Sequence, residues 1–482
     1  MSTNKFIGGK TACGALAVAA ALLGASLQAQ AAATIVINNL NAPGVGFNDP
    51  TPVAPVGGNT GTTLGEQRLI AFTYAANIWG ATLTSSQPIV INAQFSALTC
   101  TAASAVLGSA GATSIFRNFP NAPKPNTWYS YALANKLADA YQGTAGAAQI
   151  NANFNMNLGK PDCLPGAGFY LGLDANEGAG IDFVATLLHE MGHGVGFQTF
   201  TNGTTGAQNG GFPAIWDHYL YGATAGKLWK DMTNAERQAS AISVDKLVWT
   251  GPLVNAALPG VLRQGLPGLA ISGSAAGPAA GNYVVGEASF GPSLSNTPLV
   301  GKVMPLIQTA NGKLSEACNP MTPLEKLAVN GNIALVARGT CGFAIKVKNL
   351  QVAGARAVLI ADNVVAGISG LGGSDPSITI PAVRILKNDG DTLLARLGGR
   401  TRSSSALVAT MALFGTQYAG ADALGRMMMF APNPFQSGSS VSHFDTSAVR
   451  NQLMEPAISG DLGHTLVVPQ DLTFKLLQDI GW

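Results

Sequence analysis

The sequence predicts an α+β protein whose main domain is interrupted by an α/β insert, and three features indicate this. A helical pattern at 182–196 carries two histidines four residues apart. A strand–helix–strand pattern at 331–363 predicts parallel strands joined by a right-handed crossover. A third histidine, His443, stands far downstream. If the three histidines share one site, the strand–helix–strand segment lies between two halves of one domain.

The chain of 482 residues is long enough for more than one domain. We predict four segments: a signal peptide at 1–31, the first part of the main domain at 32–250, an insert with its linkers at 251–410, and the second part of the main domain at 411–482. The main domain is expected to combine a twisted sheet with the histidine-bearing helix.

The first 31 residues have the features of a signal peptide. Lys5 and Lys10 form a positive region before a short apolar run at 13–27, which is too short to span a bilayer stably, and an A-x-A site follows at 29–31. No later run of 18 apolar residues is present. We therefore expect an exported, soluble protein, periplasmic or extracellular, without stable membrane insertion.

The composition does not indicate a nucleic-acid partner. Charged residues make up 11% of the chain, against about 25% in a typical protein. The net charge is only +2, and the sequence contains no long basic run.

The segment at 182–196 predicts a metal-binding helix. Asp182 can cap the helix, and Gly196 can end it with a positive φ. His189 and His193 are one turn apart, so both imidazoles project from the same face. Glu190 lies beside the first histidine and can reach a water molecule without ligating the metal. This H-E-x-x-H pattern is typical of zinc sites in which the glutamate acts as general base.

The extended pattern, H-E-x-x-H-x-x-G, resembles the metzincin metallopeptidases. In the compact form of that pattern a third histidine follows, but Thr199 occupies its position here. The downstream His443, followed eleven residues later by Met454 in "QLMEP", resembles the third ligand and the methionine turn of the leishmanolysin-like metzincins. That resemblance implies a metzincin-like zincin fold.

The same resemblance implies a ligand set and a role for the glutamate. One catalytic Zn²⁺ would be held by His189, His193 and His443, with Glu190 as general base. Gly196 and Met454 would be structural residues of the site.

Other residues compete for the third ligand position. His218 in "WDHYLYG" and His464 in "DLGHTL" are the remaining histidines of the mature chain. A carboxylate such as Asp217 or Glu236 is a further alternative, although no motif supports it.

The insert carries a motif of its own. The run Arg-Gly-x-Cys-x-Phe-x-x-Lys at 338–346 resembles the hallmark of the protease-associated (PA) domain, and the resemblance covers roughly 281–397. It implies a non-catalytic module that serves as a lid, a docking surface or an interaction domain. We interpret its charged residues Lys346, Lys348 and Arg356 as a solvated helix face.

The cysteines indicate disulfides in an exported chain. The four that follow the signal peptide allow three pairings. The PA resemblance implies the pair Cys318–Cys341 within the insert, which leaves Cys100 to pair with Cys163 in the main domain.

Further elements follow from periodicity and composition. A helix is predicted at 64–83, a strand at 88–96, a connector at 265–282 and a closing helix at 469–482. The alternating segment 150–157 predicts a half-buried strand, either an ordinary sheet strand or an edge that pairs with a peptide substrate.

These features together predict a secreted zinc metalloendopeptidase that hydrolyses peptide bonds in protein or peptide substrates. Two alternatives remain open. One is a catalytically degenerate binding protein that displays the PA domain, and the other is a zinc hydrolase of non-peptide substrates.

Overall fold

A computed structural model of the chain describes residues 32–102, 104–308, 311–365, 370–373 and 375–482. The predicted signal peptide lies outside the described residues. Within them, no helix is both long enough and apolar enough to cross a membrane.

The chain up to residue 262 forms a mixture of short strands and helices. The strands are β1 Ile35–Asn39, β2 Ile89–Ser96, β3 Gly108–Ala112, β4 Ile115–Phe116, β5 Tyr129–Ser130, β6 Ile150–Asn155, β7 Phe169–Tyr170, β8 Ile181–Asp182, β9 Leu220–Gly222, β10 Lys227–Leu228 and β11 Leu247–Trp249. The α-helices are α1 Leu64–Thr82, α2 Tyr131–Ala138, α3 Phe183–Val195, α4 Asn234–Ser240 and α5 Pro252–Ala257.

The main sheet has the strand order β1-β2-β6-β3. The first three strands are parallel, and β3 runs antiparallel to β6 at the edge of the sheet. Residues of β2 alternate strictly between buried and half-buried positions, because one face of the sheet packs against helices and the other does not. The buried face contacts α1 and α3 through Phe72, Trp79, Phe154 and Phe183.

Local sequence signals account for the predicted helix at 64–83. The Thr63 hydroxyl accepts a hydrogen bond from the Glu66 backbone N–H at 3.2 Å, and the Glu66 carboxylate accepts one from the Thr63 backbone N–H at 3.1 Å. This capping box satisfies two backbone donors that the first turn would otherwise leave unpaired. The prediction of this helix is confirmed.

The strand predicted at 150–157 is β6, but it is not an edge strand. It is paired on both sides, with β2 and β3, so its backbone cannot accept a peptide substrate as an additional strand. Its asparagines hydrogen-bond instead to polar side chains of β2: Asn92 donates to Asn151 at 3.2 Å, and Gln94 donates to Asn153 at 2.7 Å. The substrate-pairing interpretation of this strand was therefore wrong.

The chain between residues 264 and 418 forms a second sheet. Its strands are β12 Gln264–Ser272, β13 Gly281–Val284, β14 Gly286–Glu287, β15 Leu299–Pro305, β16 Ile333–Ala337, β17 Ala357–Ala361, β18 Ala382–Ile385 and β19 Val408–Tyr418. Its α-helices are α6 Pro323–Val329, α7 Phe343–Val352 and α8 Lys387–Ala395.

The strand order of this sheet is β13-β12-β19-β15-β16-β17-β18-β14, and β15 to β18 are parallel. The predicted strand–helix–strand unit is thus confirmed as β16, α7 and β17. The connector predicted at 265–282 was wrong, since most of β12 lies there. Its backbone pairs with β19 over almost its whole length, and tertiary pairing outweighs a composition rich in Gly, Ala and Pro.

The two parts of the chain have separate hydrophobic cores. The main core combines residues that precede the insert, such as Leu187, with residues that follow it, such as Phe444 and Leu476. The insert packs its sheet within two further clusters between Leu269 and Met411. The predicted boundaries at 251 and 410 remain predictions.

Lys346 corrects the predicted solvated face of α7. Its side chain is fully buried, and its ammonium donates to the Glu316 backbone carbonyl at 2.7 Å. The apolar stem of a lysine can be buried at low cost when the ammonium reaches an acceptor. Lys348 is half-buried and donates to the Ser377 carbonyl, whereas Arg356 is exposed as predicted.

The chain closes with the helix α9 Thr473–Ile480, within the segment predicted to be helical. The carboxylate of Asp479 accepts hydrogen bonds from the Trp249 indole N–H at 3.0 Å and the Leu253 backbone N–H at 2.8 Å. These bonds attach α9 to the start of α5, so the two halves of the main body are joined by polar contacts as well as by the shared core.

Candidate metal centre

The helix α3 is buried along its whole length and has a defined start and end. The Asp182 carboxylate caps it by accepting from the Ala185 backbone N–H at 3.0 Å. Gly196 ends it with φ 130°, a conformation that disfavours residues with a Cβ atom. The predicted metal-binding helix is therefore fixed at both ends and packed on all sides.

Two glycines within α3 allow close packing against neighbouring elements. A Cβ atom at Gly192 would lie 2.7 Å from the Met454 sulfur, and one at Gly194 would lie 2.5 Å from the Ile150 side chain. Glycine is unfavourable in a helix interior by about 1 kcal/mol relative to alanine. The close approach of Met454 to Gly192 and of β6 to Gly194 explains why this helix contains glycine at both positions.

The structure brings His189, His193 and His443 together. Their Nε2 atoms form a nearly equilateral triangle, with separations of 3.2 Å between His189 and His193, 3.1 Å between His193 and His443, and 3.2 Å between His443 and His189. Three nitrogens that bind one tetrahedral Zn²⁺ at about 2.0–2.1 Å lie about 3.3 Å apart. The observed triangle is close to that size.

Each of the three imidazoles is oriented by a backbone carbonyl. Nδ1 of His189 donates to the Leu453 carbonyl at 2.7 Å, Nδ1 of His193 to the Phe197 carbonyl at 2.8 Å, and Nδ1 of His443 to the Ser439 carbonyl at 2.7 Å. A carbonyl can only accept, so each Nδ1 carries the proton. Each Nε2 therefore directs a lone pair towards the centre of the triangle.

Burial keeps these histidines neutral. It lowers the pKa of His189 to about 4. Burial and then the neighbouring His189 lower the pKa of His193 to about 3, and burial with both neighbours lowers the pKa of His443 well below its ordinary value. Three convergent lone pairs without a proton between them repel one another, and a cation relieves that repulsion.

Glu190 lies against the edge strand β3. Burial raises the pKa of its carboxyl to about 8, and a hydrogen bond from the Ala110 backbone N–H opposes that rise. A Cβ atom at Gly108 would lie 3.0 Å from Oε1 of Glu190. A buried carboxylate with a raised pKa, next to a histidine cluster, is typical of a catalytic acid or base.

The segment that carries His443 is held by backbone hydrogen bonds. The His443 carbonyl accepts from the Phe430 N–H at 3.0 Å, and the Met454 carbonyl accepts from the Phe444 N–H at 2.8 Å. The Leu453 N–H donates to the buried Asp471 carboxylate at 2.6 Å. The segment 443–454 therefore presents one imidazole to the centre and, through Leu453, orients a second.

The competing ligands lie elsewhere. Nε2 of His218 contacts the Thr127 hydroxyl at 3.0 Å, and Nε2 of His464 contacts the Asp182 carboxylate at 2.7 Å. The Asp217 carboxylate accepts from the hydroxyls of two threonines after α3, and Glu236 pairs with Lys227. Among the described residues, the group with metal-binding geometry is His189, His193 and His443.

The donor set fits zinc. Three neutral imidazoles with oriented Nε2 lone pairs, and a carboxylate beside them that is not a ligand, are the residues expected of a catalytic site with one open position.

A cleft of about 730 Å³ opens onto the three histidines and Glu190. Its walls come from β3 and the residues before it, from Leu164 and Ile181, from α3 and the residues after it, and from 435–443 and 456–458. None of the described residues between 264 and 418 lines it. The described part of the insert therefore forms no wall of this cleft.

Sequence reasoning missed β3 and the three carbonyls that orient the imidazoles. Every residue has a backbone carbonyl, so no sequence signal identifies Phe197, Ser439 or Leu453 as hydrogen-bond partners of the histidines. The small residues of "GSAGA" at 108–112 could have indicated a close approach of the backbone.

The structure contains two disulfides, Cys100–Cys163 in the main body and Cys318–Cys341 in the insert. These are the two pairs that the PA resemblance implied.

Comparison with known proteins identifies one module of the chain. Residues 296–393 match the family model of the PA domain, so the PA resemblance of the insert is confirmed. The chain is 35% identical over 116 residues to a rice protein with a receptor homology region, a transmembrane domain and a RING domain, which covers 24% of this chain and 20% of that protein. It is 35% identical over 106 residues to the probable lipoprotein aminopeptidase LpqL of Mycobacterium tuberculosis, covering 22% and 21%.

Solved structures of two aminopeptidases also match in part. One is an aminopeptidase from Aneurinibacillus sp. strain AM-1, with 26% identity, a TM-score of 0.23 and coverage of 32% of each chain. The other is a zinc aminopeptidase from Bacillus subtilis, with 20% identity, a TM-score of 0.22 and coverage of 34% of this chain and 36% of that one. The chain spans about a fifth of the curated relatives and about a third of these structures.

These comparisons correct the metzincin assignment. The curated peptidase that matches part of the chain is an aminopeptidase, and the family model that matches is the PA domain. The chain is therefore described as a mixed α and β protein with a PA domain and a three-histidine centre, not as a metzincin. The physical reason is that a short ligand pattern specifies the geometry of a site, and one site geometry occurs on more than one fold.

Proposed function

We propose that this protein is a secreted zinc-dependent peptidase, in which His189, His193 and His443 hold one Zn²⁺ and Glu190 is the general base. The triangle of three Nε2 atoms, with a buried carboxylate beside it in an open cleft, carries the proposal. The two disulfides and the predicted signal peptide support an oxidising compartment outside the cytosol.

A bound zinc ion supplies Lewis acidity, which polarises the scissile carbonyl and acidifies water. Glu190 then takes the proton of the attacking water and delivers it to the leaving amine. The Ala110 N–H holds the carboxylate in place, and Glu190 is buried except where it lines the cleft.

The free edge of β3 is suited to an extended polypeptide. The Leu107 carbonyl and the Thr113 N–H both hydrogen-bond to the β6 side, at 2.9 Å each. Hydrogen-bonding groups alternate along an antiparallel strand, so those of the intervening Gly108 and Ala110 point away from β6. The Ala110 N–H on this side binds Glu190, which places the carboxylate beside the edge. A substrate that adds to this edge passes Glu190 and the histidines in an extended conformation.

Internal cleavage is the proposed mode of action. An aminopeptidase needs an anionic group to bind the free α-amino group of its substrate, and Glu190 is the one carboxylate among the described residues that line the cleft. The cleft also continues on both sides of the histidines. A second candidate function is removal of residues from the amino terminus of a substrate. The partial relatives support it because their names describe them as aminopeptidases.

Glu190→Gln tests the proposed chemistry. We expect the variant to retain one zinc per chain and to lose casein hydrolysis by about 10²–10⁴-fold, because the amide cannot accept the water proton. Glu236→Gln, at a surface carboxylate, is the matched control and should keep both properties. Unchanged hydrolysis in Glu190→Gln would remove this residue from the mechanism.

A pair of substrates separates the two modes of cleavage. An endopeptidase cleaves a long peptide whose amino terminus is acetylated and leaves aminoacyl-p-nitroanilides intact. An aminopeptidase shows the opposite pattern. Loss of both activities on chelation, with recovery on adding Zn²⁺, is expected in either case.

A further inference from the structure

The cleft has two chemically different ends. Near the start of α3 its lining side chains are aliphatic, and we call this the apolar end: Val106, Leu107, Leu164, Ile181 and Ile458. Beyond the end of α3 the lining is largely hydroxyl and amide: Gln198, Thr199, Thr201, Ser437, Ser439, Ser440 and Ser442. The histidines and Glu190 lie between the two.

Backbone contacts gather the members of the apolar end. The Leu164 N–H donates to the Thr101 carbonyl at 3.0 Å, and the Ile181 N–H donates to the Gly168 carbonyl at 3.0 Å. A Cβ atom at Gly460 would lie 3.3 Å from the Glu177 carboxylate. The chain segments around 101, 164, 181 and 458 therefore meet at one end of α3.

The aliphatic side chains of this end remain accessible. Val106 is 43% exposed, and Leu107, Leu164, Ile181 and Ile458 are half-buried. Aliphatic side chains that converge in a cleft and keep accessible surface are typical of a subsite for an apolar group. The five residues of the apolar end carry no charge, and Glu190, the carboxylate of the cleft, lies beside the histidines.

The Cys100–Cys163 disulfide holds this end together. Cys163 is buried and directly precedes Leu164, while Cys100 pairs with Ala105 next to Val106. Leu164 has φ 44°, in the left-handed region that leucine seldom adopts. Such a conformation persists where the surroundings enforce it, and the disulfide with the Thr101 hydrogen bond enforces it here.

We propose that the Cys100–Cys163 disulfide holds the apolar end as a specificity subsite, which selects polypeptides with a large apolar side chain beside the cleaved bond. This inference rests on the proposed peptidase function and adds the substrate class to it. The disulfide is a positioning element, and Leu164 is the residue that contacts the substrate side chain.

The test compares kcat/KM of the full-length zinc-loaded protein for two peptides that differ only in Leu or Ser beside the bond cleaved. Mass spectrometry of the products first identifies the bond cleaved and the side of it on which the Leu or Ser lies. The wild-type protein should prefer the Leu peptide by about tenfold or more. The Cys100→Ala/Cys163→Ala variant should lose most of that preference because its kcat/KM for the Leu peptide falls. Its zinc content should be unchanged.

Two further variants make the result specific. Leu164→Asn removes the apolar side chain while it keeps a residue that tolerates positive φ, so it should lose the preference even if the double cysteine variant does not fold. Cys318→Ala/Cys341→Ala removes the other disulfide, whose cysteines do not line the cleft, and should keep the preference.

The outcomes separate this inference from the function on which it rests. An active enzyme that cleaves both peptides equally, or a Leu164→Asn variant with the full preference, overturns the subsite alone. A zinc-loaded wild-type protein that cleaves no peptide overturns the proposed function, and the subsite with it.

Discussion

Buried ionisable groups are arranged in opposite ways in the insert and in the metal centre. In the insert, burial raises the pKa of Asp362, but hydrogen bonds from Arg384 and Arg338 outweigh it and lower that pKa to about 2. In the metal centre, burial raises the pKa of Glu190 to about 8 and lowers that of His189 to about 4, and no charged side chain counteracts it.

Whether a buried ionisable group has a charged partner within the protein indicates the role of each region. The insert pairs its buried charge internally, which stabilises one structure. The metal centre holds neutral imidazoles and a carboxyl whose preferred partners are a cation and a reacting water. Perturbed pKa values without an internal partner are typical of sites that act on something bound.

The largest expected effect comes from removing one imidazole. His443→Ala should weaken zinc binding by more than the roughly 10–100-fold that loss of an outer hydrogen-bond partner costs, because a direct donor is lost. Metal analysis after dialysis against a chelator series measures it. His218→Ala, at a histidine outside the triangle, should keep full occupancy. Stoichiometric zinc in His443→Ala would exclude His443 as a ligand.

A change in the insert should affect stability without affecting zinc. Asp362→Asn removes the carboxylate that faces Arg384 and Arg338, and breaking a buried ion pair from one side costs about 3–5 kcal/mol. We expect a lower free energy of unfolding for the insert in denaturant and unchanged zinc stoichiometry. Loss of zinc in this variant would contradict the separation of the two regions.

The pH dependence of stability should reveal a second buried carboxyl of the main body. Burial, followed by nearby acidic groups that include Asp445, raises the pKa of Glu455 to about 9, although the Gln452 N–H donates to it. The folded state therefore holds a proton that the unfolded state releases above its ordinary pKa of about 4.3. This contribution is complete below that pKa and is lost as the pH rises towards 9.

Glu455→Gln removes this titration and tests its sign. Between pH 5 and 9 the free energy of unfolding of the wild-type protein should fall relative to the variant by a few kcal/mol. Denaturant unfolding across that range measures the difference. Parallel pH profiles for the two proteins would contradict the assignment.

The smallest effect is expected at a helix cap. Asp182→Ala removes the cap of α3 and the contact with His464, at a cost of about 1–2 kcal/mol. Thr322→Ala, at the exposed cap of α6 in the insert, should cost less. Only Asp182→Ala should also weaken zinc binding, since α3 carries two of the histidines. Equal zinc affinity in both variants would show that the cap does not support the centre.

Several elements were predictable because their signals are local. The capping box at Thr63 and Glu66, the cap at Asp182 and the apolar strands around α7 each depend on residues a few positions apart. The metal centre was partly predictable for the same reason, since the four-residue spacing of His189 and His193 requires a common helix face.

Other features were not predictable because they depend on pairing between distant segments. β3 and β12 have sequences of low strand propensity. They form strands because the backbone of β3 pairs with β6 and that of β12 pairs with β19. Lys346 is buried because the Glu316 carbonyl comes within 2.7 Å of it. The H-E-x-x-H pattern indicated the chemistry of the centre, but it did not establish the family.

Residue type and spacing alone specified which side chains could bind a metal and which cysteines were available to form disulfides. They also indicated that the insert contains a PA domain. The three-dimensional fold settled which strand has the free edge, which carbonyls orient the imidazoles and which aliphatic side chains meet at one end of the cleft. The reason is that helix faces and caps arise from neighbours in the chain, whereas an open edge, a buried charge or a cleft wall arises from segments that only folding brings together.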